Sequence, residues 1–280
     1  MSKQLKLLFI VIALSSYVTG ASAHEPTFGI GPHTIYRGGI GLELEYEYGR
    51  QSNLYTEVRT RRLHFEAIYG ITEDLALTLA VPQVTKTVRS GANQKSKSGI
   101  GDILVRGKWR FYRDDQFRAV NQLAIIGGVK LPTGNRSGDV RLGSGSTDFL
   151  LAFAAGRETR LWYYFADVRY RLNTSSGGRR GGNVFSYDGA FGVRPIRSEY
   201  RSPDLVMLVE INGHLEEKES VDGTKDPNSG GHVLSISPGM LLSYRNIMFK
   251  TAIKIPISQN LNGTQLRQKE EFIVGLEFHL

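Results

Sequence analysis

Charged side chains at every second position are the feature of this sequence with the greatest capacity for chemistry. Glu43, Glu45 and Glu47 alternate with apolar residues near the start of the chain, and Glu271 and Glu277 do so near its end. In a β-strand, side chains two residues apart share one face. These carboxylates are therefore expected to line one polar surface, where they can attract, repel or orient ionic solutes.

A second group of charges is basic and lies in the middle of the chain. Its members also alternate with apolar residues, and they are Arg106, Lys108, Arg110, Lys130, Arg169 and Arg171. If both groups face the inside of a narrow barrel, an acidic wall faces a basic wall. That field would orient a polar or anionic solute in a water-filled constriction. The alternative is that the same residues form interior ion pairs that keep the barrel shut.

Groups that could act as nucleophiles are few. The sequence has no Cys, which excludes disulfide frameworks, thiolate zinc sites and cysteine nucleophiles. His232 and Ser235 form the nearest local His–Ser pair, but residues three apart in a strand point to opposite faces. A lipid hydrolase with Ser and His on its outer surface therefore stays a remote alternative, and we expect no enzymatic activity.

Metal ligands are equally sparse. His24 and His33 could chelate copper through one amine and two imidazoles, but nothing in the sequence fixes their geometry. We therefore expect no metal centre and no cofactor. Residues 24–38 are rich in Gly and contain Pro26 and Pro32, which makes them too irregular for a strand. We expect this segment on the periplasmic side and hypothesise that it enters the lumen as a small plug.

The N-terminus carries the pattern of a secretory signal. Lys3 and Lys6 precede an apolar run at 7–14, and the small residues at 21–23 match a cleavage site. We assign residues 1–23 to this signal. No later stretch approaches the roughly 18 consecutive apolar residues that a membrane-spanning helix needs. The chain has 35 Lys plus Arg against 27 Asp plus Glu, and so small a surplus does not indicate a nucleic-acid partner.

The elements that must position the charged groups are β-strands, because apolar residues recur with a period of two. Residues 41–48 and 271–280 alternate, and similar runs between them bring the expected number of strands to twelve. The connections between runs alternate in length. The long ones include 88–99, 132–145, 173–183, 217–231 and 258–267, and the short ones 72–74, 113–118, 157–160 and 244–246, with 195–203 as a longer exception.

Alternating long and short connections are typical of outer-membrane barrels. We therefore predict an all-β protein in which residues 39–280 form a twelve-stranded antiparallel transmembrane up-and-down β-barrel in the bacterial outer membrane. A soluble β-sandwich or lipocalin-like barrel is the competing fold. Aromatic residues near strand ends, such as Trp109, Trp162 and Tyr244, favour the membrane barrel because they suit interfacial girdles. The last six residues are similar to the signal that directs such barrels to the barrel-assembly machinery, although Leu280 replaces the usual final aromatic residue.

Six short motifs follow one another through most of the chain: GIGDIL at 99–104 with Lys108-Trp109, GVKLPTG at 128–134, LGSGSTD at 142–148, EING at 210–213, SPG at 237–239, and IP at 255–256 with Gln259 and Asn262. In this order they resemble the outer-membrane family labelled putative MetA-pathway of phenol degradation. The resemblance implies a barrel that moves small molecules, and it names no substrate.

The function that these observations favour is passage of a small molecule, aromatic or anionic, through a narrow charged lumen. Twelve strands lie between the eight of filled barrels and the sixteen of wide porins, so the lumen is expected to be narrow. The partners are then the solute and the outer-membrane lipid. The alternative is a non-conducting structural or ligand-binding barrel.

Overall fold

A computed structural model of the protein describes residues 25–196 and 202–280. The expected signal peptide, its cleavage site and His24 lie outside the described residues, as does most of the 195–203 connection. No helix among the described residues is long and apolar enough to cross a membrane.

Seventeen strands appear in the described residues. They are β1 (Ile40–Ser52), β2 (Thr56–Gly70), β3 (Leu75–Ser90), β4 (Asn93–Ile100), β5 (Ile103–Gln116), β6 (Ala119–Leu131), β7 (Asp148–Thr159), β8 (Trp162–Leu172), β9 (Ser175–Ser176), β10 (Arg179–Arg180), β11 (Val184–Val193), β12 (Asp204–Glu216), β13 (Ser220–Val221), β14 (Thr224–Lys225), β15 (Gly231–Tyr244), β16 (Ile247–Leu261) and β17 (Arg267–His279).

The long strands close into one antiparallel barrel. Each pairs with its neighbour in the chain, and β1 pairs with both β2 and β17, so the sheet has no free side. β4 and β5 are two segments of one barrel strand, so the barrel has the twelve strands that the sequence predicted. Closure matters in a membrane because the hydrocarbon offers no hydrogen-bond partners to an open edge.

The interruption between β4 and β5 has a local cause. β3 pairs with β5 from Leu75 to Ala80 and with β4 from Gln83 to Ser90. Between these stretches lies Pro82, which has no N–H to donate. Its carbonyl accepts a single hydrogen bond from the Gly101 N–H, at 2.8 Å. Gly101 is required there because a Cβ would lie 2.9 Å from a methyl carbon of Val84.

Two of the long connections are shorter than the sequence predicted. β3 continues to Ser90 and β4 begins at Asn93, so most of 88–99 is a β-hairpin that extends the barrel wall. Likewise β16 continues to Leu261. The polar residues that indicated loops are instead the side chains of strands that rise beyond the apolar band. The end of the barrel with these extensions and the long loops is here called the loop end, and the other the turn end.

The two faces of the wall differ as the alternation requires. Large apolar side chains such as Leu44, Phe65 and Leu77 are exposed on the outside. The inside carries the charged residues, but one sector of it is apolar. Near the turn end of β8, β11, β12 and β15 the side chains form a buried cluster of Tyr163, Phe165, Ala190, Val206, Leu208 and Leu241. Open space is therefore left mainly beside β1–β6, β16 and β17.

Loop 132–147 is tied down at the loop end by one carboxylate. Asp102 accepts hydrogen bonds from the Gly134 N–H at 2.9 Å, the Ser144 N–H at 2.7 Å and the Ser144 hydroxyl at 2.9 Å. Burial alone would raise the pKa of Asp102, but these hydrogen bonds and the Lys130 ammonium outweigh it and lower the pKa below 3.8. Three of the motifs, at 99–104, 128–134 and 142–148, thus meet at one point.

We predict that Asp102→Ala frees loop 132–147. The loop contains Arg136 and Arg141, two trypsin sites, and loss of charge-assisted hydrogen bonds worth about 1.5–3 kcal/mol should raise cleavage there by about tenfold or more. Because the folded pKa is depressed, the same loosening is expected as pH falls through that pKa, and not at neutral pH. Asp139→Ala is the matched control, since Asp139 is an exposed carboxylate of the same loop that pairs with Lys95 at 2.5 Å. Equal cleavage of both variants would contradict the assignment.

Candidate functional site: the charged lumen

The barrel encloses a cavity of about 1470 Å³. Its lining reaches from Arg141 and Ser144 at the loop end to Arg245 and Asn246 at the turn end. The wall of β3 contributes small side chains to it, including Ala76 and Ala80. The remaining lining is largely ionisable, so a solute in the cavity meets charged groups along its length.

The acidic residues predicted from the sequence lie together on β1 and β17, facing inward, and each has a cation beside it. Lys250 of β16 lies between Glu43 and Glu45, with Nζ 2.5 Å and 2.7 Å from their carboxylate oxygens. Glu47 is bonded by Arg62 and has the His64 Nε2 at 3.5 Å.

The other two members of the acidic group are paired in the same way. Glu271 lies 3.4 Å from the Lys254 ammonium, and Glu277 lies 2.7 Å from the His279 Nε2. The acidic group is thus interleaved with cations from β2, β16 and β17, and most of its charge is neutralised within the wall.

Most of the basic group is also paired. Arg106 bonds to Glu66, and Lys108 bonds to Glu25 of the N-terminal segment. The Arg110 Nη2 lies 2.7 Å from the Asp74 carboxylate at the turn end.

Lys130 and Arg169 each contact two carboxylates. Lys130 bonds to Asp148 and lies 3.4 Å from Asp102. Arg169 bonds to Asp188, and its Nε lies 2.9 Å from the Asp167 Oδ1. The two groups therefore do not form separate walls that face each other, because every member of the basic group except Arg171 has a carboxylate beside it.

Four lining cations lack such a partner among the described residues, and one of them, Arg245 in the turn after β15, lies at the turn end over the Tyr244 ring. The other three, Arg171 from the predicted basic group, Lys86 of β3 and Arg141 of loop 132–147, all lie in the loop-end half of the lumen. Of the carboxylates that line the cavity, Glu73 in the turn after β2 is the one without an ion pair in the described chain. The loop-end half consequently carries excess positive charge.

Residues 25–38, the N-terminal segment, lie inside the barrel near its turn end. Ile30 is buried against Ala124, Ile126, Ala152 and Ala154 of β6 and β7. Three of these four wall residues are alanines, which leaves room for the segment. At its other end the Gly38 N–H donates to the Gly70 carbonyl at 2.7 Å, which fixes the point of entry.

Glu210 of β12 is the main anchor of this segment. It is fully buried, and its carboxylate accepts the Thr27 N–H and hydroxyl at 2.5 Å each and the Phe28 N–H at 3.1 Å. The Ile30 N–H donates to Asp167 at 2.9 Å. A carboxylate that receives several N–H and O–H donors makes strong charge-assisted hydrogen bonds.

A hydrogen-bonded network positions the Glu210 carboxylate. Asn212 donates to Glu210 at 3.3 Å and to Asp188 at 2.6 Å, and it accepts the Ser237 hydroxyl at 2.5 Å. The motifs at 210–213 and 237–239 therefore build the surface on which the N-terminal segment lies. The sequence analysis named Glu210 only as the first residue of the 210–213 motif and gave it no role. The available signal was a carboxylate that follows the apolar Val206 and Leu208 on the same face of β12.

The metal-ligating side chains that the structure describes are already engaged by other partners. His33 lies 2.6 Å from Glu158 and 2.9 Å from the Gln122 amide, so its imidazole is used to dock the segment. Glu45, Glu47 and His64 are close enough together to ligate one ion. Lys250 and Arg62 already bond to those carboxylates, and a divalent cation would be repelled by them.

The two residues of the Ser–His pair considered for lipid hydrolysis lie on opposite faces of the barrel wall. Ser235 is buried on the inner side, whereas the His232 Nε2 lies 2.9 Å from the Tyr187 hydroxyl on the outer side. This pair cannot act together as nucleophile and base.

Comparison with known proteins supports the same architecture. The model of the family described as "Putative MetA-pathway of phenol degradation" matches residues 23–258. No curated protein matches the chain by sequence. Among solved structures, the COG4313 outer membrane channel from Pseudomonas putida F1 has a TM-score of 0.72 at 12% identity, covering 92% of this chain and 100% of that one. The beta domain of the Bordetella autotransporter BrkA has a TM-score of 0.55 at 9% identity, covering 87% and 100%.

These similarities show the fold. Together with the closed barrel and its apolar outer surface, they place the protein in the bacterial outer membrane, as the sequence analysis predicted. They do not identify a solute.

We predict that Lys250→Met strongly destabilises the barrel. It leaves Glu43 and Glu45 without a cation in a buried site, and breaking a buried ion pair in this way costs about 3–5 kcal/mol. Denaturant unfolding in detergent measures the loss. Adding Glu43→Gln and Glu45→Gln to Lys250→Met should restore much of the stability, because no unpaired charge then remains. A triple variant as unstable as the single one would show that Lys250 acts through packing alone.

Proposed function

The chain belongs to the family described as putative MetA-pathway of phenol degradation, and from this membership and its charged lumen we propose that it is a gated outer-membrane channel for small anionic molecules. The solute moves down its own gradient, with the loop end outside the cell and the turn end in the periplasm. The observation that carries the proposal is the group of unpaired cations, Lys86, Arg141 and Arg171, in the loop-end half of the cavity.

The preference for anions follows from which charges are left over. Paired groups such as Arg106 with Glu66 present little net field to a solute, because their opposite charges lie side by side. Lys86 and Arg141 have no such compensation, and Arg171 is compensated only at longer range, by Glu216 two strands away. In a lumen with low-dielectric walls their field is focused, and anions concentrate at the loop-end entrance.

The gate in this proposal is the N-terminal segment. It narrows the lumen at the turn end and is attached mainly by Glu210 and Asp167. Its own side chains also complete the lining, since Glu25 neutralises Lys108. When the segment leaves, the lumen widens and Lys108 becomes a further free cation. Departure therefore raises conductance and anion preference together.

A non-conducting structural or ligand-binding barrel is the second candidate. It is favoured by the apolar cluster around Tyr163 and Phe165, which fills one sector of the lumen. The cavity that extends along the other sector, between residues of both ends, favours conduction.

We also propose that the C-terminal strand is recognised by the barrel-assembly machinery. β17 pairs with β1 to close the barrel, and its outward residues Val274, Leu276 and Phe278 alternate with inward charged or small ones.

We predict that Lys86→Gln, Arg141→Gln and Arg171→Gln, combined, shift the reversal potential in a salt gradient toward cations. The permeability of anions relative to cations should fall by about fivefold, the effect of about 1 kcal/mol. Planar-bilayer recording of the refolded protein measures it. The matched control removes a neutral pair, Arg106→Gln with Glu66→Gln, and should leave selectivity unchanged. A larger shift in reversal potential in the control pair than in the triple variant would contradict the anion proposal.

We predict that deleting residues 25–36 raises single-channel conductance, because the lumen at the turn end is vacated. Glu210→Gln should have a related, partial effect. It weakens three hydrogen bonds to the segment and should raise the time spent at the higher conductance by about tenfold. Glu217→Gln, which alters a carboxylate at the loop end that bonds to Asn183, is the control. Unchanged conductance in the deletion variant would exclude the segment as a gate, and silent bilayers from folded protein would favour the non-conducting barrel.

A further inference from the structure

Arginines are concentrated on the outer surface of the wall in one sector of the loop end. Arg50 of β1 lies directly opposite Arg59 of β2, and Arg61 follows two residues along on the same face. Arg89 of β3 lies opposite Glu57, and Arg267 of β17 lies opposite Ser52. These five residues, Arg50, Arg59, Arg61, Arg89 and Arg267, form the arginine patch.

The level of this patch is fixed by its aromatic neighbours. Arg61 is paired across the strands with Tyr48, which in turn is paired with Phe272. Tyrosines on the outside of a membrane barrel mark the interface with the lipid headgroups. Arg61 therefore lies beside the interfacial aromatic layer, and Arg50 and Arg59 lie one step beyond it.

The patch is incompletely neutralised. Arg50 lies 2.5 Å from Glu270, and Arg59 bonds to Glu57. Arg61 and Arg89 make no ion pair with any described residue. Two carboxylates thus serve five guanidinium groups, and like charges on neighbouring strands destabilise a sheet unless further negative charge balances them.

The rest of the loop end is different. On the opposite side of the barrel the outward residues at the loop ends of the strands are apolar, as in Leu131, Phe149, Leu172, Phe185 and Leu215. On β3 and β4, next to the patch, they are Thr85, Thr87, Ser96 and Ser98. Among the outward residues of the long strands at this end, arginines are thus concentrated in one sector, so general solubility of the barrel wall does not account for them.

We propose that the arginine patch binds the phosphate groups of a phosphorylated lipid in the outer leaflet of the outer membrane. Guanidinium groups match phosphate oxygens with paired N–H donors, and a phosphate between Arg50, Arg59 and Arg61 supplies the missing negative charge. The acyl chains then lie against the exposed Tyr46 and Leu44 below. The proposal uses the orientation given above, with the loop end outside the cell, and is independent of conduction and gating.

The test uses the full mature chain in detergent with lipid A, a phosphorylated glycolipid, and the same lipid with its phosphates removed. The measured quantity is the apparent affinity, from the rise in unfolding temperature and from lipid retained in native mass spectrometry. Wild-type protein should bind the phosphorylated form about tenfold more tightly than the dephosphorylated one. Arg59→Gln with Arg61→Gln should abolish that preference.

Arg179→Gln with Arg180→Gln is the matched control, because it removes two cations from β10 at the loop end but outside the patch. It should bind lipid A as wild type does.

Unchanged single-channel conductance and unfolding temperature without lipid would show that the patch variant is folded. Equal binding of the two lipids by wild type, or equal losses in the two variants, overturns the proposal. So does inorganic phosphate that raises the unfolding temperature as much as lipid A at the same concentration, because the site then selects free phosphate and not lipid.

Discussion

A carboxylate inside a narrow membrane barrel needs a cation next to it, and this requirement organises the whole lumen. The inner side of β1 presents Glu43, Glu45 and Glu47 in sequence, and left alone they would repel one another at short range. Arg62 from the adjacent β2 and Lys250 from β16, which reaches across Gly275 of β17, remove that repulsion. The pairing of these charges therefore helps to set the register of β16, β1 and β2, in addition to the alternation of apolar residues.

This pairing has a consequence for function. Charges used to stabilise the wall are not available to a solute, so the number of charges in the lumen is a poor guide to selectivity. At the loop end, the cations left unpaired among the lining residues are Lys86, Arg141 and Arg171. Two come from strands far apart in the chain and one from a loop, so the proposed selectivity depends on the fold and on loop 132–147 staying in place.

The sequence allowed the fold to be predicted because the relevant information is local. Alternation shows which face of each strand is polar, and every residue of the predicted acidic and basic groups lies on the inner side. Partner choice could not be predicted, because it depends on which strands become neighbours and on their stagger. Glu66 and Arg106, for example, come from β2 and β5 and meet across β3. The prediction of loop 88–99 was wrong for another reason: Lys95, Ser96 and Lys97 are as polar as a loop, yet above the membrane both faces of a strand meet water.

The motifs that carried the family resemblance acquire a physical meaning in the structure. Five of the six divide between two places at opposite ends of the lumen. Those at 99–104, 128–134 and 142–148 form the Asp102 site that holds loop 132–147 at the loop end, whereas those at 210–213 and 237–239 support Glu210 beneath the N-terminal segment. Neither place contains the unpaired cations Lys86 and Arg171. The cations that a solute would meet unpaired therefore lie outside the segments that carry the family resemblance, and the resemblance by itself names no solute.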